Sequence, residues 1–141
     1  MKYYIVIPSY NEEALIGLTL QSLISQTVLP SKIVVVNDNS TDRTAEVVLE
    51  FAKNNPYISL VNKSSENIHL PGSKVIQAFE KGFETLDDNY DLIVKIDADL
   101  IFPTNYFETI IKHFQSDERI GMVGGFCYIE KKEEWILENL T

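Results

Sequence analysis

The stretch "KIVVVNDNSTDRTAEVV", residues 32–48, decides the fold. It opens on a run of β-branched residues, breaks into amides, hydroxyls and acids, and resumes with apolar residues at helical spacing. A strand that is apolar on both faces belongs to a parallel sheet covered on both sides, and a strand that runs directly into a helix begins a crossover. The pattern repeats outward in both directions. "YYIVI" (3–7), "ISLVN" (58–62) and "DLIVKI" (91–96) read as further strands beside "KIVVVN" (32–37). Helices are expected between them. Residues 13–25 carry Leu15, Ile16, Leu20, Leu23 and Ile24 on one stripe, and 41–53 carry Ala45, Val48, Leu49 and Ala52. Two more helices are expected over 73–86 and 104–116, the latter with Tyr106, Phe107, Ile110, Ile111 and Phe114 as its apolar set. The spacing therefore predicts an α/β fold with a mostly parallel, Rossmann-like sheet flanked by helices. A last apolar run, "IGMVGGFCYI" (120–129), reads as a strand weakened by Gly124 and Gly125.

With 141 residues, 45% of them hydrophobic, the chain is expected to be one soluble domain over 1–141. Its formal charge of −9 argues against nucleic-acid binding, which needs Lys and Arg to neutralise phosphates. An anionic ligand would here require a metal or a local basic group. The single cysteine, Cys127, lies in an apolar run and is expected in the core; with no partner for a disulfide, a reducing compartment is the simpler expectation. No apolar run approaches the roughly 20 residues of a membrane span, and the opening segment is too short for a signal peptide. A cytoplasmic chain, peripheral at a membrane at most, is the expectation.

Open α/β sheets bind ligands beyond the carboxyl ends of their strands, and four unusual segments fall there. In "PSYNEE" (8–13), Pro8 is expected to end the first strand and Asn11 to cap the following helix. In "NDNSTDRT" (37–44), Asn39 or Ser40 would cap the next helix with Asp42 near its positive end, whereas Asp38 lies before the cap, where its carboxylate can accept a ring N–H from a ligand. Tyr10 is then placed to pack on a nucleobase, beside the backbone carbonyls of Pro8 and Ser9. In "KSSENIHLPGSK" (63–74), Pro71 and Gly72 make a turn, Ser73 caps a helix, and Lys74 opposes the helix dipole, which points to an anionic contact. In "DADLIFP" (97–103), Asp97 follows an apolar strand, so an unpaired charge there would be costly. Asp97 and Asp99 would share a hard divalent cation, Mn²⁺ or Mg²⁺, which takes one or two carboxylates and completes its shell with water and substrate phosphates. His69 and His113 lack partners at metal-ligand spacing and read as solvated.

With these segments in this order, the chain resembles the family 2 glycosyltransferases, nucleotide-sugar enzymes of GT-A fold. The likeness runs from Tyr3 to Pro103 through "IVIPSYNEEALIGLTLQSLISQT", "KIVVVNDNSTDRTAEVV" and "DLIVKIDADLIFP". It implies that Pro8, Tyr10 and Glu12 form the first nucleotide-binding segment and that Asp38 recognises the base. Asp97 and Asp99 become the ribose and metal carboxylates, with Mn²⁺ or Mg²⁺ as cofactor. A UDP- or GDP-sugar is the implied donor, and a glycan or lipid-linked hydroxyl the implied acceptor. Many members carry A-R-N-x-G before the fourth strand. Here "AFEKG" (78–82) keeps Ala78 and Gly82 but has Phe79 for the basic residue and Glu80 for the amide, so Lys74 is the substitute phosphate contact.

In that family the catalytic base and acceptor site lie well beyond the D-x-D. The expectation is thus a donor-binding part, cut off after the D-x-D region, whose base falls past Thr141 and whose Phe126, Tyr128, Trp135 and Ile136 favour self-association. Trp135, Ile136 and Leu140 are expected to dock on the body. The rival readings are a polyprenyl-phosphate sugar transferase and a non-catalytic nucleotide-binding module. A haloacid-type phosphatase is disfavoured because Ile101 occupies the last position of its D-x-D-x-T/V pattern.

Overall fold

The computed structural model describes residues 1–64 and 72–138. The elements are β1 (Tyr3–Ser9), α1 (Ile16–Ile24), β2 (Lys32–Asp38), α2 (Thr44–Asn54), β3 (Ile58–Lys63), α3 (Ser73–Phe83), β4 (Leu92–Lys95), α4 (Tyr106–Ser116), β5 (Tyr128–Lys131) and β6 (Glu134–Leu137). Two compact units result, Met1–Phe107 and a second beginning at Glu108.

In the first unit four parallel strands run in the order β3-β2-β1-β4. Ile5 of β1 lies opposite Ile33 of β2 and Val94 of β4, so β1 is paired along both edges. The alternation of side chains along the strands then sorts the core into two layers. Val6, Val34 and Val36 face α3, where they pack with Ala78. Ile5, Ile7, Ile33 and Val35, all fully buried, point to the opposite face. Right-handed crossovers place α1 and α2 together on that second face, and α1 approaches α2 closely at Gly17, where a Cβ would lie 3.5 Å from Val47 and 3.6 Å from Phe51.

On the α3 face the approach is tighter still. A Cβ on Gly82 would come within 2.7 Å of methyls of both Val6 and Val36, so only glycine lets the helix sit at this depth. The "AFEKG" segment is thereby explained in part by packing: Ala78 and Gly82 are the two buried positions of α3. Phe79 packs against the core cluster and stacks on Phe83, and Glu80 is exposed.

Several boundaries differ from the sequence expectation, each for a local reason. Pro8 does not end β1; it pairs with Val36, and Ser9 with Asn37. Val6 turns its carbonyl towards β4, accepting from Ile96 at 3.3 Å, so Pro8, two residues on, presents its missing donor on that same side, past the end of β4 at Lys95. The first helix begins at Ile16 rather than 13 because the Glu12 carbonyl accepts from both Leu15 and Ile16, making a turn first. Leu15 and Leu49, assigned to apolar stripes, are exposed. Ser73 does not cap α3; it is the first helical residue, and Gly72 takes the capping position at φ 79°, a conformation natural to glycine. Pro71, His69 and Leu140 lie outside the described residues. His113 is exposed, as expected.

At the amino ends of the strands, Lys32 and Tyr4 both donate to Asp87, at 2.5 and 2.6 Å. The donors from Lys32, then Tyr4, hold the Asp87 carboxyl well below the usual range.

The second unit, described by itself, contains an antiparallel hairpin in which Tyr128 faces Leu137 and Lys131 faces Glu134. Its two-residue turn puts Lys132 and Glu133 at φ 50° and 65°, the left-handed pair that a tight hairpin requires. The expected strand over 120–129 is realised only from Tyr128; Gly121 and Gly124 lie in open space, where even an added Cβ would meet nothing within 4 Å. Cys127 is half-buried rather than core. Trp135 and Ile136, expected to be covered, are exposed.

The glycine contact gives a measurable expectation. Gly82→Ala improves intrinsic helix propensity by about 1 kcal/mol, yet over-packing costs about 1–3 kcal/mol. Urea unfolding should show a net loss for Gly82→Ala, a larger one for Gly82→Val, and partial recovery of the alanine variant when Val36→Ala vacates the space.

Candidate functional site

The strand order reverses beside β1: the chain moves outward to β2 and β3, then returns to the other edge of β1 as β4. Loops leaving β1 and β4 therefore diverge, and the crevice between them is where such sheets bind ligands. A cleft of about 650 Å³ lies there. Pro8, Tyr10, Glu12, Asp38, Lys74, Asp97 and Asp99, the whole set singled out in the sequence, all line it.

One wall is built by lacing two loops together. The Asn11 amide donates to Ser40 Oγ at 3.0 Å, the Glu12 amide to Thr44 Oγ1 at 2.9 Å and the Glu13 amide to Asp42 Oδ2 at 3.1 Å. In return, the Thr41 amide donates to Asn11 Oδ1 at 2.8 Å and the Arg43 amide to Glu13 Oε2 at 3.2 Å. Asn11, Ser40 and Asp42, read in the sequence as helix-start residues, thus serve a neighbouring loop. The N-cap residues of α1 and α2, Leu15 and Arg43, make no side-chain cap hydrogen bond, and Asp42 divides its oxygens, Oδ1 accepting from the Thr44 amide of its own helix at 2.9 Å and Oδ2 from Glu13 across the gap. Asn11 and Asn39 reach φ 50° and 59°, and asparagine tolerates that region better than most residues. Burial would push the Asp42 carboxyl up, but donors from Thr44 and Glu13 outweigh it and hold it below its usual value.

Asp38 ends β2 and is 7% exposed. Its Oδ1 is buried without a hydrogen-bond partner among the described residues. Lys63, opposite it on β3, stands 3.9 Å away, close enough for ionic attraction and too far for a hydrogen bond. A buried carboxylate oxygen without a hydrogen bond costs free energy, and Asp38 bears that cost where it lines the cleft.

Asp97 and Asp99 flank Ala98 in the turn after β4. Ala98 is buried and both acids are exposed, so the two carboxylates stand on the solvent side of the turn. The desolvation expected for Asp97 does not occur; it is exposed and lies 3.4 Å from Lys95. Glu12 feels the cluster instead. Burial, and then the charges of Asp99, Asp42 and Asp97, raise its carboxyl above the usual value. Among the described residues no group of three or more His, Cys, Asp and Glu side chains is arranged to hold a metal alone. Two exposed hard carboxylates beside a third acid strained by repulsion nevertheless fit a divalent cation that takes its remaining ligands from water and a ligand's phosphates. Lys74, in the first turn of α3, is half-buried and has no ion-pair partner among the described residues. Among the described residues it is the one cation that lines the cleft.

The family model for glycosyl transferase family 2 matches residues 4–139. The chain belongs to glycosyl transferase family 2. It is 28% identical over 135 residues to an uncharacterised glycosyltransferase, YibD, of Escherichia coli K12, covering 95% of this chain and 37% of that protein. It is 30% identical over 126 residues to the poly-β-1,6-N-acetyl-D-glucosamine synthase of Staphylococcus epidermidis, covering 87% and 28%. Among solved structures, the mannosyltransferase PcManGT of Pyrobaculum calidifontis, in complex with GDP-Man and Mn²⁺, superposes with a TM-score of 0.69 at 23% identity, covering 85% of this chain and 34% of that one. The shared fold is GT-A. The chain thus spans about a third of the length of these two relatives.

In this family 2 chain Ser9, expected to offer a backbone carbonyl, lines the cleft, and its hydroxyl is turned inward, donating to the Val36 carbonyl at 3.1 Å. Thr19 and Gln26 of the α1 region were overlooked, although a fully buried Thr on an otherwise apolar stripe and a glutamine 5% exposed are both signals of a polar partner.

The raised Glu12 carboxyl sets a pH dependence. A folded-state value above the unfolded one means that the folded chain binds more protons, so stability falls as pH rises through the range above the ordinary carboxylate value. Glu12→Gln should therefore be more stable than the parent at pH 7. Thermal or urea unfolding between pH 3.5 and 7.5 should show that gain shrinking to nothing at the acid end.

Proposed function

We propose that this chain forms the donor-binding face of a glycosyltransferase that moves a sugar from a nucleoside diphosphate to an acceptor hydroxyl, with inversion and with a divalent cation. The observation that carries the reading is that Asp38, a buried acid whose Oδ1 has no hydrogen-bond partner among the described residues, lines the same cleft as Asp97 and Asp99. Asp38 accepts the ring N–H of the base, a feature that uracil and guanine both offer, so a UDP- or GDP-sugar is the donor class. Tyr10, 60% exposed at the cleft, stacks on the base, with Pro8 and Glu12 beside it. Lys74 meets the diphosphate, taking the part that the basic residue of A-R-N-x-G plays elsewhere in the family.

Asp97 holds the ribose and shares the cation with Asp99. The cation, Mn²⁺ or Mg²⁺, supplies stabilisation of charge developing on the leaving diphosphate, a contribution that can reach several kcal/mol. In the transfer, a bond forms from the acceptor oxygen to the anomeric carbon as the bond from that carbon to the diphosphate oxygen breaks on the opposite face. The acceptor proton leaves to a base that is not among the residues assigned here. The likeness to a polysaccharide synthase favours a glycan acceptor, as in cell-surface polysaccharide synthesis, over a lipid-linked one. Mn²⁺ and GDP-Man bound to a neighbour of the same fold support the cofactor and the donor class.

Calorimetric titration with UDP and GDP, each with and without Mn²⁺, tests the assignment. Asp38→Ala is expected to weaken binding by about 1–3 kcal/mol while leaving its dependence on Mn²⁺ intact. Asp99→Asn should do the reverse, abolishing most of the gain from Mn²⁺ while sparing metal-free binding. An Asp38→Ala chain that binds as the parent does, or an Asp99→Asn chain that still responds fully to Mn²⁺, contradicts these roles.

A further inference from the structure

The acid turn is gripped from behind by α1, none of whose residues lines the cleft. Thr19 is fully buried on the stripe that also carries Ile16, Leu20 and Leu23. Its hydroxyl donates to the Ala98 carbonyl at 2.9 Å. The Leu15 carbonyl is a second acceptor at 3.3 Å, but it already receives the Thr19 amide at 3.0 Å, so the single hydroxyl proton goes to Ala98. Just past the helix end, Gln26 repeats the grip. Its Nε2 donates to the Pro103 carbonyl at 2.7 Å and the Ser22 carbonyl at 3.0 Å, its Oε1 accepts from the Phe107 amide at 3.1 Å, and the next amide, Thr27, donates to the Thr104 carbonyl at 2.8 Å.

The segment that begins with Asp97 is therefore fastened at both ends to one helix and its exit. Ala98 is the hub of the turn: its side chain is buried, its carbonyl is held, and the two exposed carboxylates project from the residues on either side. Rotating that one peptide plane would move Asp97 and Asp99 relative to each other. Packing alone does not account for a hydroxyl here, since valine has the same shape and would bury no polar atom.

We infer that Thr19 is a positioning residue for the divalent cation: by holding the Ala98 carbonyl it sets the relation between the Asp97 and Asp99 carboxylates, and Gln26 fixes the far end of the same segment. The inference rests on the metal role given above to that pair. Residues that orient metal ligands commonly change metal affinity by 10- to 100-fold.

The test measures Mn²⁺ affinity directly, by the paramagnetic resonance of free Mn²⁺ in titrations with UDP and with GDP present, together with metal-free nucleotide affinity by calorimetry. Thr19→Val is expected to weaken Mn²⁺ about 10-fold and to leave metal-free nucleotide affinity within about 2-fold of the parent. Thr19→Ser, which loses the methyl and keeps the hydroxyl, should retain parental Mn²⁺ affinity despite lower thermal stability. Should the valine variant fail to fold, Thr19→Cys, a weaker donor of similar size, is expected to give a smaller loss in the same direction. Parental Mn²⁺ affinity in the valine or cysteine variant, or an equal loss in the serine variant, overturns the inference while leaving the metal assignment standing. A parent chain that binds no Mn²⁺ with either nucleotide overturns the metal assignment, and this inference with it.

Discussion

Because β1 is hydrogen-bonded to β2 on one edge and β4 on the other, it forces the chain to reverse its direction of travel across the sheet, and the cleft exists only at that reversal. The strand meets the requirement by being apolar on both faces: Tyr3 through Ile7 are all buried, each worth about 1.5–3 kcal/mol for a large side chain removed from water. The cost of this arrangement falls at its carboxyl end. There β4 stops at Lys95 while β1 continues to Ser9, and backbone groups and loops lose their neighbours together. Proline is tolerated at position 8 for the same reason that a ligand can enter: one edge of β1 has been vacated.

Side-chain hydrogen bonds close what the sheet leaves open. The loops after β1 and β2 would each be a separate connection if their polar residues bonded only within their own segments. Instead Asn11, Glu13, Ser40, Asp42 and Thr44 bond across to one another, so that Tyr10, Glu12 and Asp38 stand on a single wall. The α1 region performs the equivalent service for the opposite wall through Thr19 and Gln26. Charge follows the same division. At the amino ends of the strands Lys32 neutralises Asp87 within the fold, whereas at the carboxyl ends acids outnumber the cations that face them, and Glu12 registers the excess.

Much of this was readable from residue types, and what was not has identifiable causes. The strands were legible because runs such as Ile33 to Val36 leave no alternative to burial on both faces. The helix starts were misread because an Asn or Ser beside a helix start is chemically indistinguishable from one that reaches to a loop some 30 positions away; Asn11 and Ser40 are separated by 29 residues in sequence. The desolvation argued for Asp97 failed because an apolar strand says nothing about how quickly the chain emerges from the core once the strand ends. Asp38 was singled out and lines the cleft, but the missing partner of its buried Oδ1 is a property of what its described neighbours fail to provide, which no single residue reveals.

The α/β class, the parallel pairing and the polar residues Tyr10, Glu12, Asp38, Lys74, Asp97 and Asp99 of the cleft were legible in residue order, because hydrophobic periodicity and the placement of polar segments after strands depend only on local order along the chain. Long-range packing alone makes Gly82 a requirement of Val6 and Val36, puts Asp97 and Asp99 on the solvent side of a turn held by Thr19, and leaves Asp38 Oδ1 without a hydrogen-bond donor among the described residues. Each of these depends on distances between atoms remote in sequence, set by how closely α3 and α1 settle on the sheet, and close packing resolves such distances to tenths of an ångström where sequence pattern cannot.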